Sequence, residues 1–166
     1  MQSSSKGNST VKGFIELLSA QRQQIKKILA DLTDDEINWN PQTKSNSIGN
    51  LIEHITASEA FLFQEKVLGT KTHRVREKEF EYRYRARKEL LTAYEYMEKA
   101  TQSLESKITD EDLFKKTVDI HGGPKTWFWI LGHVLEHNYY HIGQANYISG
   151  LLHGEKFLDR PRKKTP

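Results

Sequence analysis

The stretch Trp127–Leu152, WFWILGHVLEHNYYHIGQANYISGLL, reads as one long helix that is apolar along one face and carries His133, His137 and His141 at four-residue intervals. Four residues advance an α-helix by about 40° beyond a full turn, so successive members of this series lie one above the other. Two imidazoles stacked in this way can hold one metal ion. On a helical wheel at about 100° per residue, Ile130, Val134, Ala145, Ile148 and Leu152 mark the apolar stripe. His141 falls at the centre of that stripe, His137 about 40° to one side and His133 about 80° to the same side. The wheel therefore predicts that His137 and His141 point inward and that His133 sits nearer the edge. Burying two imidazoles is unfavourable unless their ring nitrogens are satisfied. A metal would satisfy them, and so would neighbouring backbone or side-chain groups around ordinary core histidines. The spacing leaves both readings open.

The rest of the chain supplies helices to pack against. A first helix is expected from about Val11 to Leu32, with Phe14, Leu18, Ile25, Ile28, Leu29 and Leu32 at helical spacing. Thr33-Asp-Asp-Glu36 has the form of a capping box, opening a short helical turn at most, and Trp39-Asn-Pro41 breaks the pattern. A second helix is expected from the N-cap Ser47 to about Leu68, with Gly69 ending it. His54 lies at the edge of its stripe and, taken alone, reads as a boundary histidine. A third helix is expected from about Tyr84 to Lys107, and Gly122-Gly123-Pro124 marks a turn before the fourth. Leu32-Thr-Asp-Asp-Glu and Ile108-Thr-Asp-Glu-Asp echo one another, each following a long helix and preceding one that bears histidine. The expected architecture is all-α: a four-helix bundle made of two helical hairpins with pseudo-twofold similarity. The same echo aligns His54 with His133, which gives His133 a claim as a ligand that the wheel does not support.

At 166 residues the chain is long enough for one domain with a real core, expected over residues 11–158 between a polar tail, 1–10, and a basic tail, 159–166. It has no cysteine, so a metal site must use imidazole, carboxylate and water. The net charge of +3 falls short of a nucleic-acid binder's signature, and no DNA-binding motif is present. No apolar run has transmembrane length and no signal-peptide pattern is visible, so a soluble cytoplasmic protein without membrane partners is expected. The run Glu79-Phe-Glu-Tyr-Arg-Tyr-Arg85 alternates like a strand but is taken as part of a connecting loop. The five arginines Arg74, Arg76, Arg83, Arg85 and Arg87 are read as a solvated face paired with Glu77, Glu79 and Glu81. The alternative is a rim that attracts an anionic substrate.

Ser47-Ile-Gly-Asn-Leu-Ile-Glu-His54, together with His137-Asn-Tyr-Tyr-His141-Ile-Gly-Gln144, resembles the DinB-like superfamily, which includes the bacillithiol and mycothiol S-transferases. Trp39-Asn-Pro41, Arg74-Val-Arg-Glu-Lys-Glu-Phe80 and the Leu-Thr-Asp echo look like a branch of it found in bacilli. Many members have arginine before the glycine of H-x3-H-x-G-Q, where this chain has Ile142. The resemblance implies a four-helix bundle with one divalent ion, Zn²⁺ or Ni²⁺, on His54, His137 and His141. It also implies a homodimer.

Three imidazoles would leave an open position, able to lower the pKa of a bound water or to hold a thiol as thiolate. The leading expectation is an S-transferase that joins a low-molecular-weight thiol to an electrophilic small molecule. The alternatives are a hydrolase using a metal-bound hydroxide and a non-enzymatic stress-response or binding protein with a structural metal. Asn50, Ser58, Glu136 and Gln144 are candidates to orient the imidazoles. Glu136 faces away from His137, so no general base stands out. Asn138 and Tyr140 are read as packing residues near the pocket mouth.

Overall fold

The computed structural model describes residues 9–42, 44–81, 83–120 and 122–154. Both expected tails lie outside these residues, except for Ser9 and Thr10. Four long helices carry the fold: α1 (Ser9–Ala30), α3 (Ile48–Ala60), α4 (Arg87–Gln102) and α7 (Trp127–His153). Three short ones, α2 (Asp34–Asn38), α5 (Leu104–Lys107) and α6 (Asp110–Lys115), fill the connections. The fold is the expected all-α bundle, with α3 and α1 both packed along α7 and α4 against α3 and α1.

The local signals explain most element ends. Ser47 accepts from the Asn50 backbone N–H while the Asn50 side chain accepts from the Ser47 backbone, a reciprocal cap that starts α3. Thr33 with Glu36 and Thr109 with Asp112 make the same arrangement at α2 and α6, so the echo in the sequence is an echo of two capped short helices. Gly69 stops the second helix with φ +74°, a conformation that glycine adopts without steric cost.

Several elements differ from expectation. Ser9 and Thr10 are helical because Asp110 accepts from the backbone N–H groups of Thr10 and Val11, both at 3.0 Å. This cap comes from about a hundred residues away along the chain, where a local pattern cannot show it. The second helix loosens into a π-helical stretch, Phe61–Val67, before it ends. The third begins at Arg87, not Tyr84, since Ala86 is extended, and it breaks at Ser103 before α5. The segment before α7 is a hairpin, β1 (Thr117–Ile120) with β2 (Gly123–Thr126), paired antiparallel across the Gly-Gly-Pro turn.

The core consists of two apolar clusters. One gathers Leu18, Leu62, Phe63, Met97, Leu104, Trp127, Ile130 and Val134; the other gathers Ile25, Leu29, Leu51, Ile55, Tyr94, Ile142 and Ala145. The buried line of α7 runs through Val134, Asn138 and Ile142, so the histidines flank it. The wheel puts His141 at the centre because its stripe leaves out the buried Leu131, Asn138, Ile142 and Ser149. With all four counted, the centre lies about 40° from His141.

Gly49 sits where α3 crosses α2. A Cβ there would lie 3.1 Å from Arg85 Cδ and 3.3 Å from both Ile37 Cγ2 and the Ile37 carbonyl oxygen. Gly49→Val is expected to destabilise the fold by about 1–3 kcal/mol through overpacking, read as a lower urea midpoint.

Candidate metal centre

His54 projects from α3, and His137 and His141 from successive turns of α7. One ring nitrogen from each lies within 4.8 Å of the others. The ring centroids are 4.8 Å apart for His54–His137 and His54–His141, and 4.5 Å for His137–His141. His54, expected at a boundary, is 5% exposed and the most enclosed of the three, whereas His137 and His141 are half-buried.

The hydrogen bonds settle which nitrogens are free. His54 Nδ1 lies 2.6 Å from Glu79 Oε2. An ionised carboxylate only accepts, so Nδ1 carries a proton, and in the neutral imidazole His54 Nε2 keeps its lone pair. His141 Nδ1 is 2.7 Å from Gln144 Oε1, and with the amide oxygen facing the ring the same tautomer follows. His54 Nε2 is 2.9 Å from His137 Nε2, which must then be the donor. Binding a cation among the three requires His137 to give up or relocate only that one proton. The donor set suits a divalent ion of intermediate softness: three imidazoles, two of them fixed by a partner on the far nitrogen. These three histidines could hold a metal ion.

Burial pushes the pKa of His137 down to about 3, and the proximity of His141 and His54 adds to the effect. Burial also lowers that of His141. Both rings are therefore neutral at ordinary pH, the form that ligates. Burial alone would raise the pKa of Glu79, but its bonds to Arg74 and His54 outweigh this and hold it below the usual carboxylate range.

Glu79, expected on a solvated face, is 3% exposed and bonded to His54. Besides His54 it accepts from Arg74 Nε at 2.6 Å and Arg74 Nη2 at 3.0 Å. A 3₁₀ turn, Arg76–Phe80, carries it. Arg85, likewise expected in solvent, is 2% exposed. It pairs with Glu53 and donates to the carbonyls of Glu79 (3.0 Å) and Glu81 (3.2 Å). Asn50 Nδ2 donates to the same Glu79 carbonyl at 2.9 Å, so Asn50 steadies the loop and not an imidazole. The solvated-face expectation fails here because the alternating run folds back over α3.

His133 stands outside the cluster. Its ring stacks on Trp129 at 4.7 Å between centroids and lies 6.0 Å from that of His137. Its carboxylate neighbour Glu136 is 3.9 Å away and exposed. Beside the cluster is a cavity of about 470 Å³ lined by His54, Ser58, Phe61, Arg74, Arg76, Ile120, His133 and His137 among others. The hairpin, absent from the expected fold, supplies Ile120 to this wall. Asn138 is buried and bonds Glu59, while Tyr140 is exposed and edge-on to His141.

The family described as "Protein of unknown function (DUF1572)" matches residues 5–161. The chain belongs to the DUF1572 family. Among solved structures, this DUF1572 chain is similar to a DinB-like protein from Bacillus cereus ATCC 10987, with TM-score 0.71 and 21% identity over 85% of this chain and 91% of that one. It is also similar to a conserved protein from Enterococcus faecalis, with TM-score 0.68 and 19% identity over 84% and 95% of the two chains. No curated protein matches it. DUF1572 is thus a DinB-like family in fold, as the histidine motifs implied. Among its described residues no helix is long and apolar enough to cross a membrane.

The depressed pKa of His137 sets a pH dependence for the metal-free DUF1572 protein. Between its folded value of about 3 and the ordinary value of 6.5, the unfolded chain binds more protons than the folded one. The stability contributed by the neutral ring is present above that ordinary value and is lost as pH falls through the window. His137→Gln should therefore lose less stability than the parent between pH 7 and pH 4 (about the span of the window), measured by urea melts at each pH.

Proposed function

We propose that the protein binds one divalent ion, Zn²⁺ or Ni²⁺, on His54, His137 and His141, and uses it to join a low-molecular-weight thiol to an electrophilic small molecule. The observation that carries this reading is the outward bonding of the imidazoles. Glu79 and Gln144 hold the Nδ1 atoms of His54 and His141 and leave unprotonated Nε2 atoms for a cation. When bound with an open position, such an ion would stabilise a thiolate or hydroxide at neutral pH.

The chain's own groups shape what could approach. Phe61 and Leu62 give the cavity an apolar side, and Ser58 gives it a hydroxyl. Arg74 is committed to Glu79 and lies over the Phe61 ring. Arg76 lies over the Phe80 ring, 5.2 Å from its centroid, and makes no ion pair among the described residues. Its charge is therefore available at the cavity, which revives the anion-attracting reading of the arginine-rich segment for Arg76 alone. No carboxylate other than Glu79 is in contact with the three histidines among the described residues, and Glu79 is already bonded to His54 and Arg74. Both a thiol and a water would lose a proton on binding, but a free thiol, with a pKa of about 8.5 against about 15.7 for water, asks less of the site. The family resemblance supports the same choice, together with a homodimer.

The test is fluorescence of monochlorobimane in the presence of metal-loaded protein and a panel of thiols. Conjugation should depend on both metal and thiol and fall to background in His137→Ala. Arg76→Glu should raise KM about tenfold for a carboxylate-bearing thiol and leave a neutral thiol unchanged. Ester or amide hydrolysis that needs metal but no thiol would replace this reading with the hydrolase. Inactivity in both assays with metal bound would leave a binding protein.

A further inference from the structure

We propose that a buried polar layer of Arg22, Glu59, Thr101 and Asn138 sets the rotation and axial register of α3 against α7, and so positions His54 relative to His137 and His141. Each of the four long helices contributes one member: α1, α3, α4 and α7 in that order. Its meaning for function rests on the metal reading above.

Glu59 is the hub. One carboxylate oxygen pairs with the Arg22 guanidinium and accepts from Thr101 Oγ1 at 2.6 Å. The other accepts from Asn138 Nδ2 at 3.3 Å. Arg22 Nη2 also donates to Thr101 Oγ1 at 2.9 Å. All four residues are at most 1% exposed. Along α1 the layer follows Leu18 of one apolar cluster and precedes Ile25 of the other. On the second helix it falls between Ile55 of α3 and Leu62 of the π-helical stretch, and along α7 between Val134 and Ile142.

The layer lies at the level of the histidines. Asn138 directly follows His137 and precedes His141 by three residues, and Glu59 follows His54 by five. Among the described residues, hydrogen bonds between α3 and α7 are confined to Asn138–Glu59 and the His137–His54 ring contact. The rest of that interface is apolar packing, which tolerates small slides and rotations. A charged layer does not, because a buried carboxylate has few arrangements that satisfy it. Turning α7 by one residue would carry Asn138 about 100° away from Glu59 and swing both histidines with it.

Stability is a weak reason for such a layer. A buried ion pair is often no better than well-packed apolar side chains of similar volume. What it contributes is a choice among otherwise similar packings, and the histidine cluster needs that choice because its ligand atoms come from two helices.

The experiment uses the full chain with Arg22→Met, Glu59→Leu and Asn138→Leu combined. Three readouts are taken: the thermal midpoint, nuclear Overhauser contacts between the His54 and His137 rings in metal-free protein, and Ni²⁺ affinity by calorimetry. The expected result is a midpoint equal to or above the parent's, ring contacts weakened or split, and Ni²⁺ affinity reduced at least about tenfold. Unchanged ring contacts together with affinity within twofold would overturn the proposal. Should the triple variant not fold, Asn138→Leu alone is judged by the same two criteria. If the parent protein binds no Ni²⁺, the metal reading falls, and the ring contacts still decide the role of the layer.

Discussion

A charge removed from water must find a partner, and this bundle buries several: Arg22 and Glu59 at its centre, Glu79 and Arg85 under its longest loop. Each demands specific neighbours, and those demands organise what surrounds them. Arg85 holds the backbone of Glu79 and Glu81 against α3. Glu79, thus placed, holds His54 and is itself held by Arg74. The loop that reads as the least structured part of the chain is therefore the part that aims the most buried histidine. Apolar packing brings the helices together, but it does not say how they are turned. The buried charges do.

The same logic explains the character of the histidine cluster. Burial and the nearness of the neighbouring imidazoles lower the pKa of His137 and His141 and keep both neutral. His54 and His141, with their far nitrogens bonded, present lone pairs ready to ligate, and His137 has one proton to move. The arrangement draws on different elements: α3, α7 and the 3₁₀ turn.

Much of the fold was legible in the sequence because it is written in local signals. Ser47 with Asn50 and Thr33 with Glu36 cap the helices they were expected to cap. Helical spacing found all four long helices, and the histidine motifs led to the DinB-like fold. What stayed hidden depends on contacts between distant residues. Asp110 caps the start of α1 from about a hundred residues away, and no window around Ser9 contains it. Glu79 and Arg85 look like solvent residues in any scale of polarity, and only the loop's return over α3 buries them. The hairpin was shorter than a pattern can establish, with four residues in each strand. The wheel was turned by leaving out Leu131, Asn138, Ile142 and Ser149, which only the packing shows to be buried. One signal narrowed the choice to Glu77 and Glu79: they are the two acidic residues of the Arg74–Phe80 segment, which resembles bacillar DinB-like proteins.

The central claim is that His54, His137 and His141 form one metal centre. Its most direct test is elemental analysis of untagged protein, compared with His54→Ala, His137→Ala and His141→Ala after equal exposure to Zn²⁺ and Ni²⁺. The account predicts about one divalent ion per chain in the parent and loss in each variant. A parent that takes up neither ion, or variants that bind as well as the parent, would contradict it.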